Sequence, residues 1–141
     1  MQVVVTGATS FIGAATVKKL MEAGHRVFAV VRPASSNMKH LETIEAGNTP
    51  GSLSICPLDL AEIRTLHGFL ADAWVHIGWD GAGSDNRTKR DVQQRNVTYA
   101  LDAVEAAAAL GCLPFFIYRF PGRVRSLAPD SGGGYALSSG V

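Results

Sequence analysis

The sequence predicts an α/β fold, a parallel sheet wrapped on both faces by helices. Three observations carry that reading. Short β-branched apolar runs alternate with stretches of helical period over the first 118 residues. Glycines stand at several of the corners between them. The opening run is apolar almost throughout, as expected of a strand buried on both faces.

Residues 2–6 (QVVVT) form the first strand, and a loop with Gly7 and Gly13 follows, with Ser10 midway between them. From Phe11 to Ala23 the period becomes helical. Gly13, Val17 and Leu20 share one face with Met21 beside them, and Gly24 is a natural residue to end the helix. RVFAVV, residues 26–31, is the second strand. The polar, turn-rich stretch from Pro33 to Ser52 has room for one short helix around Met38–Ala46. LSICPLDL (53–60) predicts a third strand, 62–70 a helix and AWVHIGW (73–79) a fourth strand. The polar loop 80–89 leads into the longest helix, about Arg90–Leu110. There Val97, Leu101, Val104 and Ala108 recur at helical spacing, and Gly111 closes it. FFIY (115–118) is the fifth strand. Right-handed crossovers then make the first strand-to-helix turn a ligand crevice. Residues 119–141 have no sustained periodicity and do not continue the pattern.

At 141 residues the chain suits one domain with a real core, and 47% apolar against 18% charged residues is globular. Thirteen basic and twelve acidic residues leave a net charge of +1, so no global field favours nucleic acid or an anionic membrane. Arg119, Arg123 and Arg125 lack the interleaved aromatics of a nucleic-acid arm. No apolar run approaches the roughly 20 residues of a membrane span, and the start has no basic n-region of a signal peptide. Cys56 and Cys112 lack metal spacing and read as reduced thiols. The expectation is a cytoplasmic protein without metal, nucleic-acid or membrane partners.

A helix N-terminus carries unpaired N–H groups and the positive end of the macrodipole, which suits a phosphate. Gly7 lets the chain turn sharply out of the first strand, and Gly13 lets the helix pack closely against the sheet. Arg32 directly follows the second strand, 19 residues after Gly13. An acid near this place binds the ribose 2′-hydroxyl of NAD, whereas an arginine suits a 2′-phosphate. NADP(H) is therefore favoured over NAD(H), with a solvated strand-end arginine as the plain alternative. Asp59 is placed either to accept from an adenine amine or to cap the next helix. His76 reads as a packed strand histidine, Trp74 and Trp79 as core or pocket wall, and Arg87, Lys89 and Arg90 as solvated charge.

The stretches VTGATSFIGAATVKKLMEAGHRVFAVVRP, LDL, VHIGWDG and NVTYALDAVEAAAALGC fall in order over residues 1–112. Together they resemble the extended short-chain dehydrogenase/reductase superfamily, and within it the NAD-dependent epimerase/dehydratase family, which acts mostly on nucleotide sugars. The resemblance implies a Rossmann-type doubly wound sheet of strand order 3-2-1-4-5. It implies that Gly7, Ser10, Phe11, Ile12 and Gly13 line the pyrophosphate, with Ser10 at the middle glycine of the family's TGxxGxxG. Arg32 would meet the 2′-phosphate, Asp59 with Leu60 the adenine, and Ile77 and Gly78 the length of the cofactor. Asn96 matches the family's structural asparagine. A nucleotide sugar is the implied substrate, and a homodimer through the helix at 90–110, with its Ala-rich stripe as the face, follows by analogy.

The resemblance also implies a Tyr-x-x-x-Lys pair, whose ammonium lowers the tyrosine pKa for proton transfer. Lysines occur only at 18, 19, 39 and 89, none four residues after a tyrosine, so no catalytic residue is assigned. Ser126 and Ser131 offer hydroxyls that nothing positions. The tail suggests a reason. One coding of Arg119–Ser126, CGG TTC CCA GGC AGA GTA CGG TCC, preceded by AC and read from those bases, gives Thr-Gly-Ser-Gln-Ala-Glu-Tyr-Gly. Members of the family carry a segment of that kind here. The expectation is a cofactor-binding portion at 1–118, truncated by a frameshift between Cys112 and Arg119 and inactive alone. A natural divergent tail and an expression artefact are the plain alternatives. A non-enzymatic dinucleotide sensor is the other functional reading.

Overall fold

The computed structural model describes residues 1–81, 84–86, 88–112 and 114–118, together with two short strands at 127–129 and 135–137. Five strands, β1 (Gln2–Thr6), β2 (Arg26–Val31), β3 (Ser52–Pro57), β4 (Ala73–His76) and β5 (Phe115–Ile117), form one sheet. Every pairing in it is parallel and the order is β3-β2-β1-β4-β5. The predicted Rossmann-type architecture and strand order are those observed.

Strand alternation sends successive side chains to opposite faces, and the core divides accordingly. On one face Val3, Val5, Val27, Ala29 and Val31 pack under α1 (Phe11–Glu22) through Val17 and Met21, and under α2 (Lys39–Glu45) through Leu41. On the other, Val4, Phe28, Val30 and Trp74 pack under α3 (Arg90–Ala109) through Ala103, Ala106 and Ala107. Ile63, in a 3-10 segment spanning Leu60–Thr65, joins this second layer.

Several boundaries differ from the sequence reading, each for a local reason. The third strand stops at Pro57, because Asp59 caps the turn that follows by accepting from the Ala61 N–H at 2.9 Å. In place of a helix over 62–70 stands the 3-10 segment, which Asp59 starts. The fourth strand stops at His76: the Ile77 N–H is shared between the Thr6 carbonyl and the Thr6 hydroxyl, and the Gly78 N–H turns to the hydroxyl. The long helix buries a different stripe from the one its apolar spacing suggests. Val97, Leu101 and Val104 face outward at 55%, 62% and 43% exposure, and Val92, Asn96 and three small alanines face the sheet. Alanines there let the helix axis approach the sheet closely, which larger side chains would prevent, and Ala103, Ala106 and Ala107, being buried in the core, are not available as the dimer face that the sequence suggested.

In the tail, β6 (Leu127–Pro129) and β7 (Tyr135–Leu137) pair antiparallel. The remaining tail residues, including Arg119–Ser126 on which the frameshift expectation rests, lie outside the described residues. So does Arg87 of the basic loop. Among the described residues no helix is long and apolar enough to cross a membrane.

Candidate functional site

A cavity of about 600 Å³ opens at the C-terminal ends of the central strands, where β1 gives way to α1. Its size lies within the range of small-molecule and cofactor sites. Its floor is a contact between two glycines. Gly7 turns at φ +68°, and a Cβ there would lie 2.6 Å from the Gly78 backbone nitrogen. No side chain fits at that crossing. At Gly13 a Cβ would run into the Gly7 carbonyl oxygen, so the first turn of α1 also presses directly on the loop.

Ser10 is the N-cap of α1, with φ −70° and ψ 162°. Its hydroxyl donates to the Gly7 carbonyl at 2.7 Å and accepts from the Gly13 N–H at 3.0 Å. The altered member of the glycine motif thus closes the loop on itself, and its one hydroxyl proton is committed there. Phe11 and Ile12 are the first two helical residues, whose N–H groups have no acceptor within the helix. These two amides, at the positive end of a 12-residue helix, line the cavity.

Two buried polar networks fix the opposite wall. Thr6 Oγ1 accepts from the N–H groups of Ile77 at 3.2 Å and Gly78 at 3.1 Å, and lies 2.9 Å from His76 Nδ1. With both hydroxyl lone pairs engaged, the hydroxyl proton goes to Nδ1, which places the imidazole proton on Nε2. Burial lowers the His76 pKa to about 4, so the ring is neutral at pH 7. Nε2 has no partner among the described residues, and the ring stacks on Phe115. In the second network Asn96, 1% exposed, grips the backbone of Asp80 from both sides. Its amide donates to the Asp80 carbonyl at 2.9 Å, and its oxygen accepts from the Asp80 N–H at 2.8 Å.

Of the residues singled out from sequence, Gly7, Ser10, Phe11, Ile12, Arg32, Leu60, Ile77 and Gly78 all line this one cavity. Gly13 stands behind the loop as its packing contact, Asp59 serves as the cap of the 3-10 segment, and Asn96 holds the wall from behind. None of these three lines the cavity. The sequence reading missed Asn37, Asp80, Gln93 and Tyr118, which come from loops, an inward helix position and a strand end. A polar loop directly after the fourth strand was the only signal for Asp80. Trp79, read as pocket wall, lines the cavity and donates through Nε1 to Gln93 Oε1 at 3.2 Å.

Arg32 and Asp80 bring opposite charges to the same cavity, Nη1 lying 3.9 Å from Oδ1. Cys56 and Cys112 are free and outside it, and burial raises both pKa values, with the Asp72 charge adding at Cys112. Among the described residues no group of three His, Cys, Asp or Glu side chains gathers as metal ligands would.

A model of the NAD dependent epimerase/dehydratase family matches residues 3–118. The chain belongs to that family. An uncharacterised protein of Schizosaccharomyces pombe is 37% identical over 78 residues, which are 54% of this chain and 25% of the yeast protein. Among solved structures, the UDP-Glc/GlcNAc 4-epimerase of Campylobacter jejuni superposes with a TM-score of 0.68 at 15% identity, over 82% of this chain and 36% of the other. A UDP-glucose-4-epimerase from Stenotrophomonas maltophila, solved with NAD and formylated UDP-arabinopyranose, gives 0.66 at 21% identity, over 83% and 36%. At these identities the two structures speak for the fold. The chain spans a quarter of the yeast protein's length and about a third of each epimerase's.

Proposed function

We propose that this epimerase/dehydratase-family chain is the dinucleotide-binding portion of an NAD(P)-dependent enzyme acting on a nucleotide sugar, and that it prefers NADP(H) through Arg32. The observation that carries the reading is the glycine crossing. Gly7 against Gly78, with Gly13 against Gly7, leaves a groove lined by backbone at the N-terminus of α1. A pyrophosphate fits such a groove, because amide N–H groups can approach it without intervening side chains. In this reading the Phe11 and Ile12 amides hold the pyrophosphate, and Ile77 and Gly78 support the cofactor's length. Arg32 neutralises a 2′-phosphate, and Asn96 keeps the wall in place. Asp59 is taken up in capping the next segment, and Leu60 beside it borders the adenine end. When bound, the nicotinamide supplies hydride transfer.

Within these 141 residues no Tyr-x-x-x-Lys pair occurs, so what they supply is binding and not the proton transfer. The chain alone therefore binds dinucleotide with little or no turnover. The same observation favours a second reading, a dinucleotide sensor without catalysis. A homodimer belongs to the first reading, with the outward stripe of Val97, Leu101 and Val104 on α3 as the contact.

The test is calorimetric titration with NADP⁺ and NAD⁺. Wild type binds NADP⁺ more tightly. Arg32→Ala costs about 1.5–3 kcal/mol of NADP⁺ affinity, the worth of a hydrogen bond to a charged group, and leaves NAD⁺ unchanged. Equal wild-type affinities for the two dinucleotides overturn the Arg32 assignment.

A further inference from the structure

We infer that Asp80 sets the cofactor selectivity of this site. Its carboxylate counters the Arg32 charge across the crevice and limits the preference for a 2′-phosphate. The inference rests on the dinucleotide reading above and assigns a second residue to it.

Arg32 follows β2 and Asp80 follows β4, so the two stand on either side of the central strand, and both line the cavity. Their 3.9 Å separation makes an ion pair but is too long for a hydrogen bond, so the guanidinium donors are not used up by it. The partners differ in freedom. Asp80 is held at its backbone N–H and C=O by the buried Asn96, and its side chain is 31% exposed. The Arg32 side chain is 67% exposed. Asp80 is thus the less exposed partner, on a backbone held in place, and Arg32 the more exposed one.

That arrangement acts in opposite senses on the two dinucleotides. A 2′-phosphate drawn to Arg32 must share the guanidinium with a carboxylate already beside it, and like charges at such range repel. A ribose 2′-hydroxyl instead meets an acceptor, the role that an acid near the end of the second strand plays in NAD sites. Here the acid comes from the loop after β4. The crevice therefore presents a cation suited to NADP(H) and an acceptor suited to NAD(H), and Asp80→Asn weakens the second while freeing the first.

Equilibrium titration of NADP⁺ and NAD⁺, followed by calorimetry, is run on wild type, Asp80→Asn, Arg32→Ala and the double variant. Asparagine keeps the size of the side chain, and the Asn96 contacts are to backbone, so the variant should melt as wild type does. Asp80→Ser is measured alongside as a second removal of charge. Removing the charge should raise the NADP⁺-to-NAD⁺ affinity ratio about fivefold, the scale of a partly exposed ion pair. That fold-change corresponds to about 1 kcal/mol at 1.4 kcal/mol per factor of ten. In the Arg32→Ala background the same change should still raise the ratio, but by less than in wild type, since only the acceptor for the 2′-hydroxyl and the repulsion of the 2′-phosphate remain to be lost. An unchanged or lowered ratio in both Asp80 variants, with Arg32→Ala still losing NADP⁺ selectively, overturns the inference and leaves the Arg32 reading standing. Failure of the underlying reading has another signature: wild type binds both dinucleotides alike, and Arg32→Ala alters neither.

Discussion

The buried histidine makes acid stability the sharpest quantitative expectation. His76 is 1% exposed and bound through Nδ1 to Thr6, and its pKa is lowered from 6.5 to about 4 by burial. As pH falls through 6.5 the unfolded chain takes up a proton on this imidazole, and the folded chain does not until about pH 4. Stability therefore falls with falling pH across that window and is complete above it. At 1.36 kcal/mol per pH step the whole window is worth about 3 kcal/mol, of which about 2 kcal/mol is lost between pH 7 and pH 5. For a chain of this length that is roughly 6–10 °C in melting temperature. The variant His76→Asn removes the titrating ring and keeps an oxygen able to accept from Thr6. Urea unfolding of both proteins at pH 7 and pH 5 is the assay, with the difference between the two pH dependences as the readout. The carboxylates are common to both proteins, so their contribution cancels in that difference. If wild type and His76→Asn lose the same stability between these pH values, the ring is not excluded from protonation and the account of the Thr6–His76 frame fails.

Three further outcomes follow from particular contacts. Ser10→Ala removes the cap of α1 and should cost about 1 kcal/mol of stability, while dinucleotide affinity changes less than about twofold. A tenfold affinity loss with unchanged melting would mean that the hydroxyl serves the ligand and not Gly7 and Gly13. Leu101→Lys places a charge in the middle of the outward stripe of α3. Sedimentation should then show association weakened at least about tenfold, since burying a leucine is worth about 1.5–3 kcal/mol; a wild-type monomer at high concentration rejects that surface. The nucleotide sequence decides the tail. Codons for Arg119–Ser126 that read Thr-Gly-Ser-Gln-Ala-Glu-Tyr-Gly in the neighbouring frame support a frameshift, and codons incompatible with that reading exclude it.

The fold was legible because its signal is periodic. Apolar strands, amphipathic or small-residue helices and glycine corners repeat along the chain, and right-handed crossovers leave few ways to connect them. The glycine loop was legible for a different reason, since only glycine permits the Gly7–Gly78 crossing and the Gly13–Gly7 approach. Periodicity misled at α3. Helical spacing of Val97, Leu101, Val104 and Ala108 identifies a stripe without saying which way it faces, and the sheet takes the alanine side because close packing favours small residues there. The end of β4 was illegible because it involves a hydroxyl about 70 positions earlier in the chain: the Thr6 side chain takes the Gly78 amide and shares the Ile77 amide with its own carbonyl.

That early ending shapes the binding wall. Once β4 stops at His76, the chain is free to turn Gly78 onto Gly7, and Trp79 and Asp80 are carried over the crevice rather than along the sheet. Asn96 then fixes Asp80 through its backbone, leaving the carboxylate to face Arg32. The glycine loop and the strand-end arginine thus meet a wall whose position is set by Thr6, His76 and Asn96, the three buried polar side chains of the described core. Polar groups held without water cost stability unless they are paired: Thr6 pairs with His76 through Nδ1 across β1 and β4, and Asn96 pairs with the Asp80 backbone, while His76 Nε2 has no partner among the described residues. These contacts set where the wall of the cavity stands relative to the glycine loop.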